Sequence, residues 1–298
     1  MYCLYDETAI VKMFNEYQGY ELTTIDNDFI VDFFGMRISI RYAKYLAQRA
    51  GTNIERPPFP DDSIRASFIE YLAVVESIRD CGSIYQMAEI GASYAPFSAL
   101  CAKLALRKGV SKAILRPVEA AFRGVESIQG NFSDNNLLNE QVDLRVIQAA
   151  VVGSYKDVYF PDVECTVDNG AAAQDQSTDL DIRGAALPMI KIKGIPLSFV
   201  IDSFPYNTPI DLLHIDIQGS EFYAIPIDIT YLTDRVKRVM LATHSRPIDG
   251  IMMETFHRAG WKLIAEEPCE FTYRRDLNEI EGMTIKDGAQ YWVNESIS

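Results

Sequence analysis

The sequence predicts an α/β protein, a doubly wound and mostly parallel sheet with helices on both faces. Three observations predict it. From residue 84 onward, short apolar runs alternate with amphipathic stretches, the pattern of repeated βαβ units. The run 84–90 is followed at once by Gly91, a few small residues and a helix signal. The run 210–217 carries Asp216 near its end, then Gly219, then Glu221 at the start of a helix-like stretch. A buried parallel strand that delivers acid groups to a crevice at its carboxyl end has this order.

Each element has its own justification. Pro96 starts a helix and Gly109 ends it, with Phe97, Leu100, Cys101, Leu104 and Ala105 on one stripe. Further strands are expected at 112–118, 144–152, 210–217 and 236–243, and closing strands at 261–265 and 289–293. A helix is expected over 250–259, ended by Gly260. Upstream, residues 10–17 read as a helix, and 20–25 and 29–40 as strands joined by a turn at Asp26-Asn27-Asp28. Arg56-Pro57-Pro58-Phe59-Pro60-Asp61 reads as a linker, and apolar spacing from 63 to 78 as a helix. The expected organisation is therefore an N-terminal helix and hairpin appendage over 1–80 and a catalytic domain over 81–298. The appendage would cap an acceptor pocket or make a homo-oligomer contact. The polar stretch 165–186 interrupts the alternation, as a solvated excursion or as a substrate loop.

Composition excludes several functions. The 298 residues carry a formal charge of −14, which repels phosphate backbones and anionic membrane surfaces. No apolar stretch is long enough to span a bilayer. The five cysteines are scattered, with no Cys-x-x-Cys pair. Nothing at 1–6 reads as a basic segment leading into an apolar core, so a cytoplasmic location is expected.

The motif Asp211-Leu212-Leu213-His214-Ile215-Asp216-Ile217-Gln218-Gly219-Ser220-Glu221 resembles the core signature of the FkbM-type S-adenosylmethionine-dependent methyltransferases. Arg145–Gly153, Thr243-His244-Ser245, Gly260-Trp261 and 287–294 resemble the same family in the same order. The resemblance implies a class I, Rossmann-like sheet with an antiparallel last strand. It also implies S-adenosylmethionine as cofactor, and an acceptor hydroxyl on a sugar, glycan component or small metabolite.

Candidate residues follow. Gly91 gives the sharp backbone turn that a close ligand needs, and Ser93 and Ala95 stand where a Gly-x-Gly-x-x-Gly-like loop would have more glycines. Glu89 reads either as a ligand of the cofactor's amino-acid end, as the resemblance implies, or as a cap on the following turn. Glu119, at the end of the next strand, would accept from ribose hydroxyls. Gln148, Ala149 and Ala150 would lie beside the adenine, again by resemblance. His214 and Asp216 share one strand face, and His244 ends a strand on the same rim. His244 is the general-base candidate because an imidazole titrates near neutral pH. Asp216 would orient the acceptor or His244 and would also border the cofactor, with Gln218 and Glu221 on the substrate side. Asp216, Glu221 and His244 also have the ligand types for a divalent metal, a secondary alternative. His214 reads as a hydrogen-bonded core histidine. Two other functions compete. One is a non-catalytic binding or scaffold module, motivated by the bulk of Ser93 and Ala95. The other is a nicotinamide-dependent oxidoreductase, disfavoured because Glu89 would repel a pyrophosphate.

Overall fold

In the computed structural model, described for residues 1–19, 26–121, 123–162, 170–177 and 180–297, the main sheet runs through the whole chain. Five parallel strands form its centre, in the order Val142–Leu144, Lys112–Glu119, Ile84–Ile90, Leu212–Ile215, Arg238–Thr243. Gly288–Val293 follows antiparallel, then Lys262–Glu267 and finally Tyr2–Cys3. The last strand in the chain is thus inserted antiparallel, as the resemblance implies.

Both faces are covered, which is why these strands read as near-continuous apolar runs. Tyr85, Met87, Leu115, Leu212 and Tyr291 pack under the helices Glu7–Asn15, Phe68–Asp80, Pro96–Lys108 and Gly124–Asp134. Ala88, Ile90, Ile114, Leu213, Ile215 and Val239 pack under Leu197–Asp202, Glu221–Arg235 and Arg246–Arg258. The expected boundary between residues 80 and 81 falls inside the first of these cores. Phe68–Asp80 is buried from Phe68 to Ile78, and its Glu76 accepts from Tyr5 Oη at 2.6 Å and Tyr291 Oη at 2.8 Å. Residues from the N-terminal segment and from the last strand therefore share one core.

Two expectations change in detail. The run 29–40 is itself a hairpin, Phe29–Val31 against Arg37–Ser39. Its turn is built by Asp32, which accepts from the N–H groups of Phe34 and Met36, and by Gly35 at φ +82°. The strand expected over 20–25, on the far side of the Asp26-Asn27-Asp28 turn, lies outside the described residues. The expected strand 144–152 breaks into Val142–Leu144, Ile147–Gln148 and Ala150–Val151. The first two pieces follow Lys112–Glu119, whereas the third leaves it to pair with Gly194 and Ile195. That pairing founds a second sheet, Ala150–Val151, Met189–Ile195 and Lys156–Pro161, which projects from the fold before Leu212–Ile215. Of the polar stretch 165–186, residues 165–169 and 178–179 lie outside the described residues.

Candidate functional site

Three strand ends are stitched together by backbone bonds. The N–H groups of Gly91 and Ala92 both donate to Val118 O, at 3.0 and 2.9 Å, and Asp216 N–H donates to Ile90 O at 2.8 Å. Gly91 sits at φ +80°, and a Cβ there would stand 1.7 Å from Asp216 O. Only glycine allows this approach. Ser93 and Ala95 also take left-handed backbone, at φ +51° and +55°. The positions read as substituted glycines are thus ones where glycine would sit without strain. Ser93→Gly and Ala95→Gly are each expected to stabilise the chain by roughly 0.5–1 kcal/mol, the relief of strain less the added unfolded-state entropy. Urea unfolding checks this, and a loss of stability in both would mean that the loop stores no strain.

Glu119 is buried and receives the N–H groups of Ser93 at 2.5 Å and Ala121 at 2.7 Å. Burial pushes its carboxyl up to about 7, against those N–H donors. It lines a cavity with Gly91, Ser93, Ala149, Ala150, Asp216 and Gln218. Seven of the candidates read from the sequence therefore meet at one crevice, at the carboxyl ends of the central strands.

Two of the cofactor candidates do not. Glu89 is buried beneath the Gly turn and accepts from Phe97 N–H at 3.2 Å and Ser98 N–H at 2.6 Å. It caps the first turn of Pro96–Lys108, so of its two readings the capping one describes this geometry. Burial raises its pKa, partly offset by the charge of His214 and by those N–H groups. Gln148 is exposed and borders a separate surface depression with Asp157 and Lys191–193, because the strand breaks there.

Sequence reasoning missed Phe160, Ala171 and Ala173, which come from the second sheet and the chain beside it and complete the cavity wall. No local signal marks them. Ala120 and Ala121, also in the wall, were readable as small residues following the Glu119 strand.

On the other side of Asp216 lies a charged cluster. His244 follows the strand Arg238–Thr243 and is held by Thr284 Oγ1, which donates to its carbonyl at 2.6 Å. Its Nε2 stands 3.1 Å from Asp216 Oδ1 and its Nδ1 3.0 Å from Glu221 Oε1. Glu221 is fully buried and also receives Ile217 N–H at 2.9 Å and Gly219 N–H at 2.8 Å. Burial disfavours the imidazolium, yet the charges of Glu221 and Asp216 hold the His244 pKa well above its ordinary value. The neighbouring carboxylates thus favour the protonated form of His244. It does not border the cavity, and both nitrogens face carboxylates, so the expected general-base role does not suit it. Burial would raise Asp216, but the hydrogen bond and charge of His244 bring it below the usual carboxylate value.

The same contacts bear on the metal alternative. Glu221 is committed to two N–H groups and His244 favours its protonated form, and among the described residues no group of three or more His, Cys, Asp or Glu is arranged to hold a metal. His214 is buried, with Nε2 3.0 Å from Glu70 Oε2 and its ring stacked on Phe97 at 4.4 Å, in line with its reading as a hydrogen-bonded core histidine.

No family model matches the chain. A curated protein of Jannaschia sp. (strain CCS1), named as a candidate methyltransferase, is 23% identical over 255 residues, covering 80% of this chain and 84% of that one. The chain has a mixed α/β fold around a large, mostly parallel central sheet. Two solved structures are similar at low identity. Methyltransferase FkbM from Methylobacillus flagellatus KT aligns with a TM-score of 0.42 at 12% identity, over 70% of this chain and 44% of that chain. The chain therefore spans less than half the length of the FkbM structure. Precorrin-6y C5,15-methyltransferase from Geobacter metallireducens GS-15 aligns with a TM-score of 0.42 at 10% identity, over 78% and 88%. No helix among the described residues is long and apolar enough to cross a membrane.

Proposed function

We propose that this chain is an S-adenosylmethionine-dependent O-methyltransferase acting on a hydroxyl of a sugar, glycan component or small metabolite. The observation that carries the donor part is the cavity bounded by the Gly91 turn, Glu119 and Asp216. Its residues fit the donor one by one. Gly91 leaves room where a Cβ would close the approach. Glu119 has carboxylate lone pairs beyond its two N–H donors for the ribose hydroxyls. Ala120, Ala121, Ala149, Ala150 and Phe160 form an apolar wall for a flat base. Asp216, kept ionised by His244, places negative charge beside the cavity, where a cationic ligand gains from it.

When bound, S-adenosylmethionine supplies a methyl group on a sulfonium, whose departure needs no acid. What the chain must add is alignment of the acceptor oxygen and removal of its proton. An acceptor whose reacting end is uncharged suits the carboxylates at this rim and the formal charge of −14.

Calorimetry with S-adenosylhomocysteine tests the donor reading. The wild-type chain is expected to bind it, and Glu119→Ala to bind about 10–100-fold more weakly, the worth of hydrogen bonds to a charged group. A folded wild-type chain with no binding would sink the proposal. Equal binding by the variant would remove Glu119 from the ribose role.

A further inference from the structure

We infer that Asp287 is the catalytic base of this site, taking the proton of the acceptor hydroxyl. The inference rests on the donor reading above and adds to it the group that meets the second reactant.

Topology places Asp287. Every parallel strand reaches the functional rim with its carboxyl end. Gly288–Val293 alone among the central strands runs the other way, with Gly288 opposite Thr243. The residue before that strand therefore arrives beside the residue after Thr243, which is His244. The placement is tight. A Cβ on Gly288 would stand 2.3 Å from Thr243 Oγ1 and 2.6 Å from Cys269 N, so the backbone that carries Asp287 is seated against its neighbours.

Geometry separates the carboxylates. His244 Nε2 lies 3.1 Å from Asp216 Oδ1 and 3.9 Å from Asp287 Oδ1. Asp216 borders the donor cavity, and Asp287 does not. The Asp287 side chain is 54% exposed, while those of His244 and Glu221 are 2% and 0% exposed. Of the groups gathered around His244, Asp287 is thus the one outside the donor cavity that an incoming molecule can reach.

Chemistry points the same way. His244 is 2% exposed, and its nitrogens stand 3.1 and 3.0 Å from Asp216 and Glu221, so it is turned into the cluster and away from an incoming acceptor. Asp216 is held below the ordinary carboxylate value by His244. Asp287, about half exposed, is raised by partial desolvation against the opposing charge of His244, with the charges of Asp216 and Glu221 adding to it. A carboxylate with a raised pKa is the stronger proton acceptor. In the step, the acceptor O–H bond breaks and its proton passes to the Asp287 carboxylate. The oxygen forms a bond to the methyl carbon, and the carbon–sulfur bond breaks with its electron pair left on sulfur. His244 acts as a positioning residue, fixing both carboxylates around one charge.

The test uses tritium-labelled S-adenosylmethionine with the methyl glycosides of rhamnose, fucose and mannose as acceptor probes, on wild type, Asp287→Asn, Asp287→Ser and Asp287→Glu. Calorimetry with S-adenosylhomocysteine runs alongside. Asp287→Asn and Asp287→Ser are expected to lose about 100-fold or more in kcat, the usual worth of a general base. Their affinity for S-adenosylhomocysteine is expected to stay within about 2-fold, since Asp287 lies outside the donor cavity, and Asp287→Glu is expected to recover at least about a tenth of the lost rate. Turnover of either neutral variant near the wild-type rate would overturn the inference and leave the donor reading standing. So would a loss of donor affinity that matched the loss of rate, because that marks a structural role. A wild-type chain that binds S-adenosylhomocysteine but methylates none of the glycosides would count against both the inference and the hydroxyl acceptor.

Discussion

Gly91→Ala is expected to destabilise the chain by about 2–5 kcal/mol and to abolish binding of S-adenosylhomocysteine. Two costs add. The left-handed backbone at φ +80° costs an L-residue about 1–2 kcal/mol. The new methyl would also stand 1.7 Å from Asp216 O and 3.3 Å from Ile217 Cγ2, and forced overpacking costs typically about 1–3 kcal/mol more. Relief requires the Gly loop to leave the strand end that holds Asp216, which opens one wall of the cavity. Gly109 supplies the control. It has φ +94°, but a methyl there would meet no atom within 4 Å, so Gly109→Ala carries the conformational cost alone. Urea unfolding of both variants separates the two contributions, and calorimetry follows the cavity. If Gly91→Ala were no less stable than Gly109→Ala, the close approach to Asp216 would not be what requires glycine.

Legibility in the sequence follows the range of the interactions involved. Signals carried by a residue and its near neighbours were readable. Pro96 and Gly109 mark the ends of one helix because each acts on its own backbone. The central strands are apolar on both faces, and that composition is visible without knowing the partners. Features decided by distant partners were not readable. The strand expected over 144–152 breaks because Val152 N–H finds Ile195 O. Phe160 reaches the cavity only because Lys156–Pro161 pairs with Met189–Ile195.

The site divides in the same way. Glu119 and Asp216 were legible because an acid at a strand end goes where the strand goes. Glu89 obeys that rule too, yet the N–H groups of Phe97 and Ser98 claim its oxygens first, a competition set by the exact course of the Gly loop. His244 was legible in place but not in charge. Residue type suggests a neutral imidazole ready to act as a base, whereas its charge is fixed by Glu221 and Asp216, two residues from another strand and its following helix. Asp287 went unread because its reach to His244 depends on the reversed direction of the last strand.

The charge of His244 yields the second large effect. Glu221→Gln is expected to cost about 2–4 kcal/mol at neutral pH, because it removes one of the two carboxylates around His244 and leaves Asp216 alone to compensate the buried charge. The amide nitrogen of Gln would also face N–H donors at Ile217 or Gly219, which Glu221 now satisfies. The pH dependence fixes the sign. The folded-state pKa of His244 is raised, so its contribution to stability is fully present below about 6.5, the unfolded value, and is lost as pH rises through the higher folded value. Wild-type stability should therefore fall on the alkaline side of neutrality. In Glu221→Gln that fall should begin at the same pH, end at a lower one and be smaller. The lowered pKa of Asp216 acts at the other end, giving stability that is present above its ordinary value and lost as pH falls through the lower folded one. Denaturant unfolding across the pH range, with imidazole resonances followed by NMR, measures both limbs. A His244 resonance that titrates near 6.5 in the folded wild type would show a neutral imidazole at physiological pH and return the proton-acceptor role to His244.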